Sequence, residues 1–203
     1  SALKNAMRQA PDCILIGEIR DRETMQAAIA YAQTGHLCLG TLHANNSYHA
    51  LNRVINFFPL ESRTSLYLDL SASLKAIISQ RLVKKPDGQR IPAAEVLLNT
   101  RHIQELIERG EVLAIKEAME QSLAPGSQTF EHDLFRLYSE GTITLDEALA
   151  NADSPTNLSW LINNSQISGN SHKEEKLVEI PLDFAETNES GTSFKEFTIK
   201  LSE

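Results

Sequence analysis

Two short apolar runs separated by a helical repeat constrain this chain more than any other feature. "CILIG" at residues 13–17 has strand length and no polar interruption. Residues 22–33 then carry Met25, Ala28, Ile29 and Ala32 at the spacing of one helix face, with Gly35 just beyond, where a left-handed cap is expected. A second apolar run follows at residues 37–42, "LCLGTL". Strand, helix and strand in this order predict a right-handed βαβ unit and a parallel sheet. Runs without alternation read as strands buried on both faces. In such sheets the chemistry gathers at the carboxyl ends of the strands, where Gly17-Glu18 and Leu42-His43 fall.

The rest of the chain supplies further elements. Residues 1–9 read as a short helix broken by Pro11-Asp12. Ser47 opens a helix through Phe57, with Leu51, Val54, Ile55 and Phe58 on one face. Residues 61–82 read as one long helix carrying Leu66, Leu70, Leu74, Ile77 and Ile78. "LVKKPDGQRIPAAEVLL" reads as a β-hairpin turning near Asp87-Gly88, with its partner strand at residues 93–98. Helices are expected at 101–109, 111–121, 129–140 and 144–152. Thr144 and Glu147 offer a capping box, and Ser154-Pro155 an N-cap with a first-turn proline. Residues 165–203 are rich in Ser, Asn, Thr and Gly and hold four lysines against eight acidic residues, the composition of a disordered acidic tail.

A carboxylate at the tip of an apolar strand stays charged only beside water, a metal ion or a cation. ATPases use such a group to orient the attacking water or to hold magnesium. Glu18 fits that role, with Gly17 leaving room for a ligand or a loop. Arg20 is placed to pair with Asp21 or to face phosphate. The competing interpretation is a strand-end glutamate held by an arginine. In "TGHLCLGTLHANN", His36 opens the second strand and His43 closes it, about 20–25 Å apart if the strand is fully extended. They therefore do not form one metal site. Thr41, Asn45 and Asn46 add polar groups near His43, which approaches Glu18 if the two strands are neighbours.

Several classes drop out. The sequence contains no G-x-x-x-x-G-K-[ST] loop, no G-x-G-x-x-G and no HExxH. Cys13 and Cys38 sit in apolar runs without a CxxC pair and read as reduced core residues. A net charge of −8 argues against sequence-independent nucleic-acid binding. No apolar stretch reaches the roughly 18 residues of a membrane span.

Over residues 1–160 the sequence resembles the PilT/PilU family of type IV pilus retraction ATPases, in the secretion ATPase superfamily. The likeness runs through "APDCILIGEIRDRETMQAAIAYAQTGHLCLGTLHANN", "NRVINFFP", "LKAIISQRLV", "AAEVLLNT" and "TFEHDLFRLYSEGTITLDEALANADSP". "LCLGTLHANN", "INFFP" and "EVLLNT" lean toward the PilU-like accessory branch. So does "HIQELIERGE", where Gln104 and Glu105 replace the Arg-Asn of the PilT motif A-I-R-N-L-I-R-E.

The resemblance implies an α/β fold. It would be the C-terminal part of a RecA-like P-loop ATPase core, a parallel sheet with flanking helices plus a β-hairpin, over residues 1–100. A helical C-terminal subdomain would follow over 101–164, and the disordered tail over 165–203. It makes Glu18 the Walker B catalytic glutamate, His36 and His43 the two box histidines that sense phosphate, and Arg53 an arginine near the subunit interface. The Walker A loop would lie upstream of Ser1, so ATP and Mg2+ are expected in the full-length protein and no nucleotide or metal held tightly by this chain alone. The expected partners are a homohexamer or a co-assembled related retraction ATPase, and the inner-membrane pilus platform protein. Neither nucleic acid nor a direct membrane span is expected. The expected place is the cytoplasm, peripheral to the bacterial inner membrane, and the expected work is ATP-driven pilus retraction. Two other functions fit the residues: a docking module for the main motor or platform, and a pilus-assembly or type II secretion ATPase. The absent CxxC pairs count against the second.

Overall fold

A computed structural model describes residues 11–122 and 124–171. The proposed first helix and most of the acidic tail lie outside the described residues. Strand β1 (Cys13–Ile16) pairs in parallel with β2 (Leu37–Gly40), and helix α1 (Arg22–Gln33) crosses between them. The α/β fold with a parallel sheet is therefore present as expected. Asp21 caps α1 by accepting from the Thr24 backbone N–H at 2.8 Å, so it does not pair with Arg20. At the other end Gly35 has φ +94°, its N–H donates to Ala32 O, and the His36 N–H donates to Tyr31 O. Those two bonds make a Schellman motif, which needs glycine there.

Only one face of this sheet is covered. Ile14 and Ile16 are buried, whereas Leu15 is 73% exposed, and Leu37 and Leu39 are exposed beside it. Cys13 shares that open side and is exposed, which corrects its assignment to the core; Cys38 is partly buried and its thiol pKa is raised by burial. The apolar run lacks alternation because its sequence suits a strand covered on both sides, and the described residues cover one.

Helix α2 (Ser47–Asn56) buries Leu51, Val54 and Ile55, with Phe58 buried after it. Helix α3 ends at Ser73 (Arg63–Ser73), and strand β3 (Ala76–Lys84) follows. The long helix expected over 61–82 is thus a helix and a strand. Leu74 turns extended (φ −60°, ψ 139°), and Asn99 Nδ2 donates to the carbonyls of Ser71 and Leu74, 3.0 and 2.8 Å away. Beyond that point nine antiparallel pairs with β4 (Arg90–Leu98) override the helical spacing of Ile77 and Ile78. Ile78 ends up 72% exposed.

The C-terminal region is helical: α4 (Arg101–Glu108), α5 (Ile115–Glu120), α6 (Phe130–Ser139), α7 (Leu145–Asn151) and α8 (Pro155–Ser171). Helix α8 continues past residue 164, where the tail was expected to begin. Thr144 accepts from the Glu147 N–H at 3.2 Å, but the Glu147 carboxylate bonds the Lys84 N–H instead of completing the box.

Two apolar cores share the hairpin. The larger packs Ile14, Ile16, Ile29, Leu51, Leu66, Leu97 and Ile107 between β1, α1–α4 and β4. The smaller packs Val83 and Ala93 of the hairpin against Phe130, Leu134, Leu158 and Ile162 of α6 and α8. No helix among the described residues is long and apolar enough to cross a membrane.

Close packing at the sheet falls on Gly40. A Cβ there would meet Ile19 Cδ1 at 2.6 Å, whereas a Cβ at Gly17 would meet nothing within 4 Å. Gly40→Ala should destabilise the chain only modestly, by about 1 kcal/mol in urea unfolding, because the clashing atom is the free end of the Ile19 side chain. Adding Ile19→Val, which removes the clashing methyl, should restore part of that loss; an undiminished loss in the double variant would show that the contact is not the cause.

Candidate functional site

The site grows from the register of β1 and β2. Ile16 lies opposite Gly40, and the pairing runs on past the strands: Thr41 N–H donates to Ile16 O at 3.4 Å and Ile19 N–H to Thr41 O at 2.9 Å. The Thr41 hydroxyl also donates to Gly17 O. Both strand tips are therefore clamped at the same level, and the side chains that follow them meet. His43 Nε2 lies 3.3 Å from Glu18 Oε1. Arg20 reaches back to the other oxygen, Glu18 Oε2. Arg53, from α2, donates to the His43 carbonyl at 3.4 Å and adds its charge nearby.

This surround settles the ionisation of Glu18. The Arg20 hydrogen bond holds its carboxyl below the usual carboxylate range; partial desolvation pulls the other way and loses, and the charges of Arg20, His43 and Arg53 add to the lowering. The Glu18 side chain is 19% exposed, so its carboxylate is not sealed from solvent. A strand-end glutamate held by arginine is part of what the structure shows. That pairing alone does not require a histidine to arrive from the second strand.

His36 stands apart at the opposite end of β2. Its Nδ1 lies 3.1 Å from Tyr31 O and 3.0 Å from Thr34 Oγ1, and its ring meets the Tyr31 ring edge-on, with centroids 6.3 Å apart. The Schellman motif thus fixes His36 locally, and Glu18 is not among the groups it contacts.

The polar residues after His43 turn away from Glu18. Asn46 caps α2 through the His49 N–H at 2.9 Å, and its Nδ2 donates to Asp153 at 2.7 Å. Arg81 of β3 donates to Asn45 O at 3.1 Å. An open cleft of about 300 Å³ lies on this side of the loop, lined by Asn45, His49, Arg81, Asn151 and Asp153. Sequence reasoning missed Arg81, Glu95 and Asp153; only a long-range partner marks them. Glu95, buried on β4, accepts the Ser47 N–H at 2.7 Å. Burial raises its pKa, against the Ser47 hydrogen bonds, with a smaller push from Asp153 and Glu131.

A family model for the type II/IV secretion system protein matches residues 1–105. The chain belongs to that family, in its PilT/PilU branch. The type IV pilus ATPase PilU of Pseudomonas aeruginosa is 47% identical over 195 residues, 96% of this chain and 51% of that protein. PilT of the same organism, a type IV pilus retraction ATPase, is 38% identical over 156 residues, 77% of this chain and 45% of that protein. A crystal structure of the pilus retraction motor PilT with bound ADP superposes with a TM-score of 0.70 at 37% identity, covering 78% of this chain and 44% of that one. The chain thus spans about half the length of these family relatives.

A carboxylate whose folded pKa is raised contributes most to stability below its unfolded value, and that contribution is lost as pH rises through the folded pKa. Glu95→Gln keeps an oxygen for the Ser47 N–H and removes the disfavoured charge. The variant should melt at a higher temperature than the parent at pH 7.5, with the gap closing as pH falls toward 4; a gap that widens on acidification would contradict the raised pKa.

Proposed function

We propose that this chain is the Walker B and histidine-box half of an ATPase motor that hydrolyses ATP in type IV pilus retraction, on the PilU-like accessory side of the family. One observation carries the reading: an ionised glutamate at the tip of β1, 3.3 Å from a histidine at the tip of β2, at the carboxyl end of a parallel βαβ unit. The higher identity to PilU than to PilT supports the accessory side.

Hydrolysis needs a water held in line with the γ-phosphorus and charge to meet the transferring phosphoryl group. Glu18 orients that water. Kept ionised by Arg20, it accepts a water proton without first having to lose one. His43 is placed to bridge this carboxylate and a phosphate oxygen. The Arg20 side chain is mostly exposed, so its guanidinium can also meet a phosphate oxygen while it stays on Glu18. Arg53 holds the His43 carbonyl at the foot of the site. His36 lies too far along β2 for this cluster, so its phosphate contact belongs to a neighbouring subunit's site in a hexameric ring.

The cations around Glu18 suit an anionic phosphate better than a metal ion. Among the described residues no group of three His, Cys, Asp or Glu could hold a metal. The Walker A loop that the family likeness implies would hold Mg2+ and grip the β- and γ-phosphates. The ring works at the cytoplasmic face of the inner membrane, where the platform protein receives its motion.

In the full-length protein, Glu18→Gln should lower ATP turnover by about 10²–10⁴-fold while nucleotide affinity stays within about threefold. The 203-residue chain alone should release no phosphate. Turnover that survives Glu18→Gln overturns the assignment.

A further inference from the structure

The loop that carries His43 is gripped from the far side by residues distant in sequence. It leaves β2 at Gly40 and ends at Asn46, the cap of α2. Arg81 Nη2 donates to Asn45 O at 3.1 Å, and Asp153 Oδ2 accepts from Asn46 Nδ2 at 2.7 Å. Arg81 and Asp153 pair with each other, which closes the circuit. Both side chains are largely shielded, 21% and 18% exposed, so water screens the pair less than it would a surface contact.

Each half of the pair is anchored in turn. Arg81 Nη1 donates to Asn151 O at 2.6 Å, and the guanidinium lies over the buried Phe130 ring, 4.0 Å from its centroid. A planar fork stacked on an aromatic face has little freedom to turn. Asp153 sits between α7 and α8, and the next residue, Ser154, donates its N–H to buried Glu131 of α6 at 2.7 Å. The C-terminal helices thus fix where Asp153 stands.

His43 needs such support. Its side chain is 81% exposed, and its Nε2 lies 3.3 Å from Glu18 Oε1. A ring so open is not held by packing. Its distance from Glu18 follows from where the loop backbone runs. That distance is set there because Arg81 holds the backbone at Asn45 and Asp153 holds the Asn46 side chain, two and three residues further on. We propose that Arg81 and Asp153 are positioning residues that fix the His43 loop to the C-terminal helices and so set the distance between His43 and Glu18. The proposal rests on the reading of Glu18 and His43 as the hydrolytic pair. It makes the helices a structural part of the site although, among the described residues, none of their side chains pairs with Glu18.

The test uses the full-length protein with Asp153→Asn, which keeps an acceptor for Asn46 and removes the charge facing Arg81. Steady-state ATP turnover should fall about fivefold, with KM for ATP within about twofold, since coupled residues in one hydrogen-bonded network trade effects of this order. His43→Ala should lower turnover further, and the double variant should match His43→Ala alone, because nothing is left to position. Losses that multiply, or turnover unchanged in Asp153→Asn, overturn the proposal. Hydrogen–deuterium exchange on the same proteins supplies a readout independent of hydrolysis. Amides of residues 41–47 should exchange several-fold faster in Asp153→Asn while the β3–β4 hairpin keeps its protection; an unchanged loop overturns the proposal. Arg81→Gln should repeat both patterns. Protection lost across both cores in both variants makes the pair merely structural and likewise overturns it. Faster loop exchange in Asp153→Asn, alongside full turnover in Glu18→Gln, would support the strut and reject the hydrolytic role of Glu18.

Discussion

The candidate site depends on one pairing, β1 against β2 in parallel register. Parallel neighbours end at the same edge of a sheet, so residues that follow two paired strands emerge side by side. Here Ile16 sits opposite Gly40, and the bonds among Ile16, Ile19 and Thr41 carry the pairing beyond the last formal strand residues. Glu18 and His43 are 25 residues apart in sequence and meet because of this register. Slip the pairing by one residue and the side chains change faces, so the contact is lost. Gly40 sits where Ile19 folds across the sheet, and its missing side chain lets that crossing close.

The β3–β4 hairpin is the second organising element. One of its faces is buried and divided: Leu97 joins the larger core, Val83 and Ala93 join the smaller, and Ser79, Arg81 and Glu95 lie in the polar stretch between. Carboxylates accept backbone N–H groups on and around it: Glu95 from Ser47, Asp133 from Ala94, Glu147 from Lys84 and Glu131 from Ser154. Hydrogen bonds of this kind point in one direction. They join α2, the hairpin and the C-terminal helices through named donors, where apolar contact alone would leave sliding freedom.

Much of this was legible from local pattern. Helix α1 spans the residues its spacing marks and stops before Gly35, because such a cap is local chemistry; Asp21, a candidate partner of Arg20 in the sequence, is its N-cap instead. The helix–strand break after Ser73 leaves no mark in the local repeat, although the hairpin implies it. An antiparallel hairpin centred on Asp87 pairs residues equidistant from that point, so a strand at 93–98 demands a partner at 76–81. Leu70, Leu74, Ile77 and Ile78 satisfy a helical repeat equally well, and only the cross-strand partners decide between them. Cys13 was misplaced for a related reason: an apolar run tells what a strand prefers to contact, not whether the contact is present.

The sequence by itself determined the βαβ order, the helix caps, the turn at Asp87-Gly88 and the candidacy of Glu18 and His43, all of which follow from periodicity and chemistry within a few residues. Tertiary structure alone decided that His43 reaches Glu18 while His36 does not, and that Arg81 and Asp153 close on the loop from 36 and 107 residues away. Local propensity is written in neighbouring residues. A contact between distant ones depends on strand register and helix packing, which many sequences share and only the folded chain selects.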